Sequence, residues 1–317
     1  MNKLRKVGLT ALAASLATVS SVTAGELSVS GTASLGYATK ENNNSTNWYM
    51  NDKINFLGTG DVNGMTMSWG MNIDESDQSG DSTEIFDEKY ITLSSDTMGS
   101  LTLHGNAGSS VIAATDDKMP TVYEETWAYA TGPGKGSSKD NFFYYSSAGL
   151  FDGFKVDASY APGGNGDNAG SSEGLVEFSG IDGLTVGVAM GTDKGALNNE
   201  VDSTNMYATY AMGPMTFGVQ RNDNDAQTAA TDTEFTAFAL SYAVSDDLTI
   251  SVANSEVDYE TGYAGGTADQ DATAIGVAYT MGSASIALQT FDVDNNNGGT
   301  ADDDSFRTWD LNITLAF

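Results

Sequence analysis

From Gly25 onward the chain is a succession of runs of about ten residues in which apolar and small polar side chains alternate. The first run puts Leu27, Val29, Leu35 and Tyr37 on one parity and Ser28, Ser30, Thr32 and Ser34 on the other. Another sets Met65, Met67, Trp69, Met71 and Ile73 against Thr66, Ser68, Gly70 and Asn72. The last sets Trp309, Leu311, Ile313, Leu315 and Phe317 against Thr308, Asp310, Asn312 and Thr314. Successive side chains of a strand point to opposite faces, so each run carries an aliphatic and aromatic face and a small, uncharged polar one. Such a sheet suits lipid on one side and water on the other. Periodicity alone leaves open a soluble sandwich that buries its apolar face on a second sheet.

The connections separate the two. Seven are tight: Asp61 to Gly64, Asp96 to Gly99, Gly149 to Gly153, Gly180 to Gly183, Met212 to Pro214, Val244 to Asp247 and Met281 to Ser283. Eight are longer and rich in Asn, Asp, Gly, Ser and Thr, around 39–47, 76–83, 107–140, 162–172, 193–202, 223–231, 259–270 and 294–304. Short and long alternate strictly, which gives sixteen strands with both termini on the short-turn side. Short turns at one rim and long loops at the other is the layout of an outer-membrane barrel. A sheet crossing lipid has to close on itself, because no backbone group can be left unpaired there. The expected fold is therefore all-β: a transmembrane antiparallel 16-stranded β-barrel with one long loop, 107–140. A loop of that length inside a compact fold is usually functional.

Ahead of this pattern, Lys3, Arg5 and Lys6 precede a mostly apolar stretch from Val7 to Val19, with Val22 and Ala24 at a small-residue cleavage site. Residues 1–24 read as a signal peptide and 25–317 as the barrel. Loss of three basic residues moves the net charge from −30 to −33. A chain this acidic is a poor partner for nucleic acid, which needs clustered Lys and Arg. Without Cys and with His104 as the single histidine, it has neither a thiol nucleophile nor a His-based metal cluster. No catalytic arrangement can be read, and no enzyme is expected.

Several segments together resemble the Gram-negative general diffusion porins. Leu27-Ser28-Val29-Ser30-Gly31 is similar to that family's first strand. Glu88-Lys89-Tyr90-Ile91-Thr92-Leu93, with Met98-Gly99-Ser100-Leu101-Thr102-Leu103, resembles its hairpin of strands four and five. Asp140-Asn141-Phe142-Phe143-Tyr144-Tyr145, with Gly153-Phe154 and Tyr160, resembles its next hairpin. The alternation Trp309, Leu311, Ile313, Leu315, Phe317 looks like the signal read by the barrel-assembly machinery. The resemblance implies a homotrimer of barrels in the outer membrane, each with a water-filled pore narrowed by its third external loop. Two departures thin the basic half of the field across such a pore. Tyr144 stands where the family tends to place an arginine, and His104-Gly105 where it often has Gly and Arg.

The 107–140 loop carries Asp116, Asp117, Glu124 and Glu125, the candidates for an acidic constriction, with solvated loop charge as the plain alternative. Lys155 shares parity with Asp157 and Ser159, and Lys53 alternates against Ile54 and Phe56, so both are expected to line the pore. Lys89 is expected at the lumen or rim on energetic grounds, although its parity groups it with Ile91 and Leu93. A lysine facing lipid at the midplane would cost ~2–4 kcal/mol. His104, Tyr144 and Asp157 complete the expected polar lining. Arg221 and Arg307 have outward parity near loop ends, where lipopolysaccharide phosphates would meet them. Tyr37, Trp69, Tyr145, Tyr160, Tyr210, Tyr242, Tyr279, Trp309 and Phe317 suit aromatic girdles at the two interfaces.

The expected function is passive diffusion of small hydrophilic solutes and ions through a channel that prefers cations. Alternatives are a substrate-specific channel with Tyr123, Trp127 and Tyr129 as a stacking track, a plugged structural or adhesive barrel, and a calcium-stabilised soluble β-protein. No cofactor is expected beyond Ca²⁺ at the acidic external loops. The segment Asp292 to Gly298, followed by Asp302 to Asp304, partly matches a calcium loop, with its Gly one place late.

Overall fold

Each alternating run forms one strand. The computed structural model describes residues 25–40, 45–74, 88–106, 108–134, 136, 141–149, 152–163, 170–194, 200–227, 232–260, 266–301 and 304–317. The expected signal peptide and parts of the long connections lie outside the described residues. In chain order the strands are β1 (Glu26–Lys40), β2 (Ser45–Val62), β3 (Met65–Asp74), β4 (Lys89–Ser95), β5 (Gly99–Asn106) and β6 (Phe142–Ser146). There follow β7 (Phe154–Ala161), β8 (Ser171–Ile181), β9 (Leu184–Lys194), β10 (Glu200–Met212) and β11 (Met215–Ala226). The last five are β12 (Thr233–Ala243), β13 (Leu248–Tyr259), β14 (Gln270–Met281), β15 (Ala284–Asp294) and β16 (Phe306–Ala316).

Every strand pairs antiparallel with its sequence neighbours, and β1 pairs with β16 from Thr32–Ala316 upward, closing the barrel. The last residue continues the seam: Gly31 N–H donates to the Phe317 carbonyl at 2.8 Å and Phe317 N–H to the Gly31 carbonyl at 2.9 Å. The start of β1 and the end of β16 therefore meet at the short-turn rim, as the strictly alternating connections require. The tight turns have matching chemistry. Between β2 and β3, Asn63 (φ 55) and Gly64 (φ 79) both take the left-handed conformation that a two-residue hairpin needs.

The two strand faces separate as their composition demands. Outward positions carry Leu27, Met50, Met67, Met190, Phe238 and Ile275, all exposed. Inward positions carry Gly, Ser, Ala, Asn and Gln. On β12, Phe238 is 56% exposed while Ala237 beside it is fully buried, so the buried side is the barrel interior. This inversion of a soluble core is what lipid outside allows. The expected girdle residues Trp69, Tyr145, Tyr160, Tyr210, Tyr242, Tyr279, Trp309 and Phe317 are all exposed. Tyr37 packs against Trp48 and Trp309, with ring centroids 4.7 and 5.1 Å away. No helix among the described residues is long and apolar enough to cross a membrane, which says nothing of a β-barrel.

Candidate functional site

The long loop after β5 lies inside the barrel, against the wall. Its outward leg starts where Val111 N–H donates to Ser159 Oγ at 3.1 Å and Ile112 N–H to Glu173 Oε2 at 2.7 Å. Asn205 on β10 then donates to the Thr115 carbonyl. Gln220 on β11 donates to the Asp116 carbonyl and accepts from Lys118 N–H at 3.1 Å. Val122 N–H reaches Ser251 Oγ on β13 at 3.1 Å. At the tip, Gln289 on β15 accepts from Glu124 N–H at 3.1 Å and donates to its carbonyl at 2.8 Å. The loop then turns back. Gln270 on β14 holds Thr131 in the same two-bond fashion, at 3.1 and 2.8 Å, and Asn222 on β11 accepts from Gly134 N–H at 2.9 Å.

A primary amide carries an N–H donor group beside a carbonyl acceptor, so an inward glutamine can imitate a neighbouring strand for the loop backbone. Gln220, Gln270 and Gln289 are each at most 1% exposed, so the clamps sit away from water. Apolar packing follows the same path. Val111 and Ile112 pack with Leu175, Ala189 and Tyr207, and Met119 and Trp127 with Phe235, Ala237 and Val257.

The tip also reaches across the barrel seam. Asp310 on β16 accepts from Tyr49 Oη on β2 at 2.8 and 2.9 Å and from Tyr129 Oη at 2.7 Å, while Tyr123 Oη lies 3.2 Å from Tyr49 Oη. Tyr49 can span β1 because Gly36 lies beneath its ring; a Cβ there would fall 2.0 Å from Cζ.

The four expected loop acids come together on this scaffold. Asp117 is exposed to the lumen, while Asp116, Glu124 and Glu125 are half-buried. The enclosing barrel displaces water around Asp117 and, with repulsion from Glu125 and then Asp116, raises its carboxyl to about 7. Burial, then Glu125 and Asp310, raises Glu124 to about 7 as well. The phenols of Tyr123 and Tyr129 are pushed far up, first by burial and then by hydrogen bonding to Tyr49 and Asp310 respectively, so they stay protonated.

The expected lining residues divide. Lys155 faces inward and pairs with Asp157 at 2.9 Å, and Lys53 pairs with Asp74 at 3.9 Å. Asp157 is inward but only 2% exposed, with Tyr144 Oη at 2.9 Å and Ser146 Oγ at 2.6 Å on its oxygens. It is a buried anchor for the wall, not an open pore carboxylate. Tyr144 packs under the loop against Val111, Ile112 and Tyr207. His104 stacks on Phe142 with centroids 4.6 Å apart and sits 3.7 Å from Glu88, at the foot of the loop.

Lys89 does not line the pore. It is exposed and in register with Met71, on the outward face, because the irregularity between Lys89 and Tyr90 lies at the strand's long-loop end and leaves its parity unchanged. At the rim an outward lysine can reach water, which removes the energetic objection. Arg221 and Arg307 also point outward, where they pair with Glu234 at 2.6 Å and Asp292 at 2.8 Å.

The aromatic stacking track is not formed. Trp127 is 7% exposed and set edge-on against Phe235, and Tyr129 is set edge-on against Phe291, so these rings pin the loop to the wall. Of the calcium-loop match, Asp292 and Asp294 belong to β15 and Asp292 is engaged by Arg307 on the outer face, while Asp302 and Asp303 lie outside the described residues. Carboxylate oxygens of Glu256, Asp258 and Asp269 lie within 4.8 Å of one another, all exposed. Sequence reasoning missed Tyr49, Lys118, Glu177, the three glutamine clamps and the central role of Asp310. The available signal was glutamine at inward parity in strands whose inner face is otherwise small.

Residues 8–299 match the family described as Gram-negative porin. The chain belongs to this family. No curated protein matches it in sequence. Among solved structures it is similar to the anion-selective porin from Comamonas acidovorans, with TM-score 0.69 and 15% identity over 92% of this chain and 100% of that one. Salmonella typhi OmpF in complex with daunomycin is matched with TM-score 0.73 and 14% identity over 93% of this chain and 98% of that one. The trimer form of OmpT from Vibrio cholerae is matched with TM-score 0.71 and 15% identity over 93% and 100%. Family and fold together make this an outer-membrane β-barrel porin, a channel architecture.

Proposed function

We propose that this porin conducts small hydrophilic solutes and ions by passive diffusion and prefers cations. The observation that carries the reading is the convergence of Asp116, Asp117, Glu124 and Glu125 along one wall-clamped loop inside the barrel. Fixed carboxylates in a narrow, partly desolvated passage raise the local cation concentration and repel anions. The preference belongs to these residues and not to the fold, since one of the similar structures is an anion-selective porin. Export by the 1–24 segment, assembly guided by Trp309 to Phe317, and trimerisation in a lipopolysaccharide leaflet complete the proposal. The trimer form of a similar barrel supports the last of these.

Planar-bilayer recording across a KCl gradient tests the reading. Conductance steps in multiples of three with a cation-selective reversal potential are expected. Glu124→Gln with Glu125→Gln should lower that selectivity, and an unchanged reversal potential would remove these two residues from the filter. Folded protein without conductance would point to a plugged barrel.

A further inference from the structure

Two of the inward lysines are neutralised where they stand, Lys155 by Asp157 at 2.9 Å and Lys53 by Asp74 at 3.9 Å. Lys118 differs. Among the described residues it has no carboxylate within ion-pair distance, and its ammonium instead lies 5.6 Å from the centroid of the Tyr207 ring. That ring is fixed: Tyr207 is 4% exposed, lies over Gly187, and donates to Glu177 at 2.5 Å. The backbone of Lys118 is fixed as well, through Gln220 at 3.1 Å. Glu177, Asp117 and Asp116 attract the ammonium from a distance and Lys155 repels it.

An ion pair is a short dipole whose field fades quickly, whereas an unpaired charge in a low-dielectric enclosure acts over a longer range. The ring of Tyr207 and the stem of Lys118 also exclude water from one side of the ammonium, which strengthens a cation–π contact. We infer that Lys118 is a selectivity-determining residue of the pore: a fixed, unneutralised cation that the loop itself carries into the lumen, where it opposes the cation enrichment produced by the loop's own acids. Anionic solutes are the class this residue admits.

The inference rests on the channel reading, and one set of recordings separates the two. The protein purified from membranes is measured in a KCl gradient at ~0.1 M and again near ~1 M salt, where the Debye length falls from about 10 to about 3 Å. Lys118→Met keeps the apolar stem and removes the charge. It should raise the potassium-to-chloride permeability ratio by at least about twofold at low salt and by less at high salt. Lys118→Gln should move in the same direction, and Lys118→Arg should keep the wild-type ratio. An unchanged ratio in both neutral variants would overturn the inference while leaving the channel intact. So would an equal shift in Lys118→Arg, or a shift insensitive to salt, because either marks a packing role. A wild-type barrel that never conducts would overturn the channel reading itself.

Discussion

Asp310 shows how one side chain can organise a pore. Buried to 3% exposure, it is satisfied by two phenols, Tyr49 from the barrel and Tyr129 from the loop, and it repels Glu124 at the loop tip. That repulsion adds to burial and to Glu125, so Glu124 sits near neutrality, as Asp117 does. A carboxyl raised to about 7 is neutral below that pH and charged above it. Two negative charges therefore appear in the lumen as pH rises from about 6 to about 8. Cation selectivity should climb across this window, and reversal potentials recorded at stepped pH would show it. Asp117→Asn with Glu124→Gln should flatten the profile. A wild-type profile already flat over that range would mean that both groups titrate elsewhere.

At the scale of elements, the loop behaves as an extra, side-chain-bonded layer on the inner wall. Its hold comes from amide clamps at Gln220, Gln270 and Gln289 and from apolar contacts at Ile112, Met119 and Trp127. Gln289→Ala strands the Glu124 N–H and carbonyl in a part-buried setting, at a cost of about 1 kcal/mol. That cost falls on the loop, because the β14–β15–β16 ladder does not depend on this side chain. Hydrogen exchange should speed up in the tip around Tyr123 to Thr126 while the strands keep their protection, and single-channel noise should rise. Equal loss of protection in the strands would show that loop and wall unfold together.

For the whole molecule, closure is the decisive event, and it is concentrated where the chain ends meet. The Phe317 ring covers Gly31, where a Cβ would fall 2.6 Å from ring Cζ and 2.8 Å from the Lys53 carbonyl. Gly31→Val should therefore hinder the β1–β16 seam. Gly58, also on the outer face, meets nothing closer than 3.8 Å, so Gly58→Val should be tolerated. Heat-modifiable migration on gels, which reports folded barrel, should drop for the first variant and persist for the second. The same global constraint explains why structures only 14–16% identical superimpose over more than nine-tenths of this chain. Closure fixes strand number, tilt and alternation, and leaves the identity of most side chains free.

Strand count, the rim at which β1 begins and β16 ends, and the face of nearly every strand residue were legible in the chain, because a period of two and a strict succession of turns and loops are local signals. Trp309 and Phe317 could be assigned to the outer face on that basis alone. Lys89 was placed by energetics against its own parity, and the parity was right, since at a rim a lysine reaches water from either face. What local signals could not contain was the course of the 107–140 loop. Its path is set by partners far along the chain, such as Asp310, 181 residues from Tyr129 and 261 from Tyr49. Only closure brings them together, and with them the acids, the clamps and Lys118.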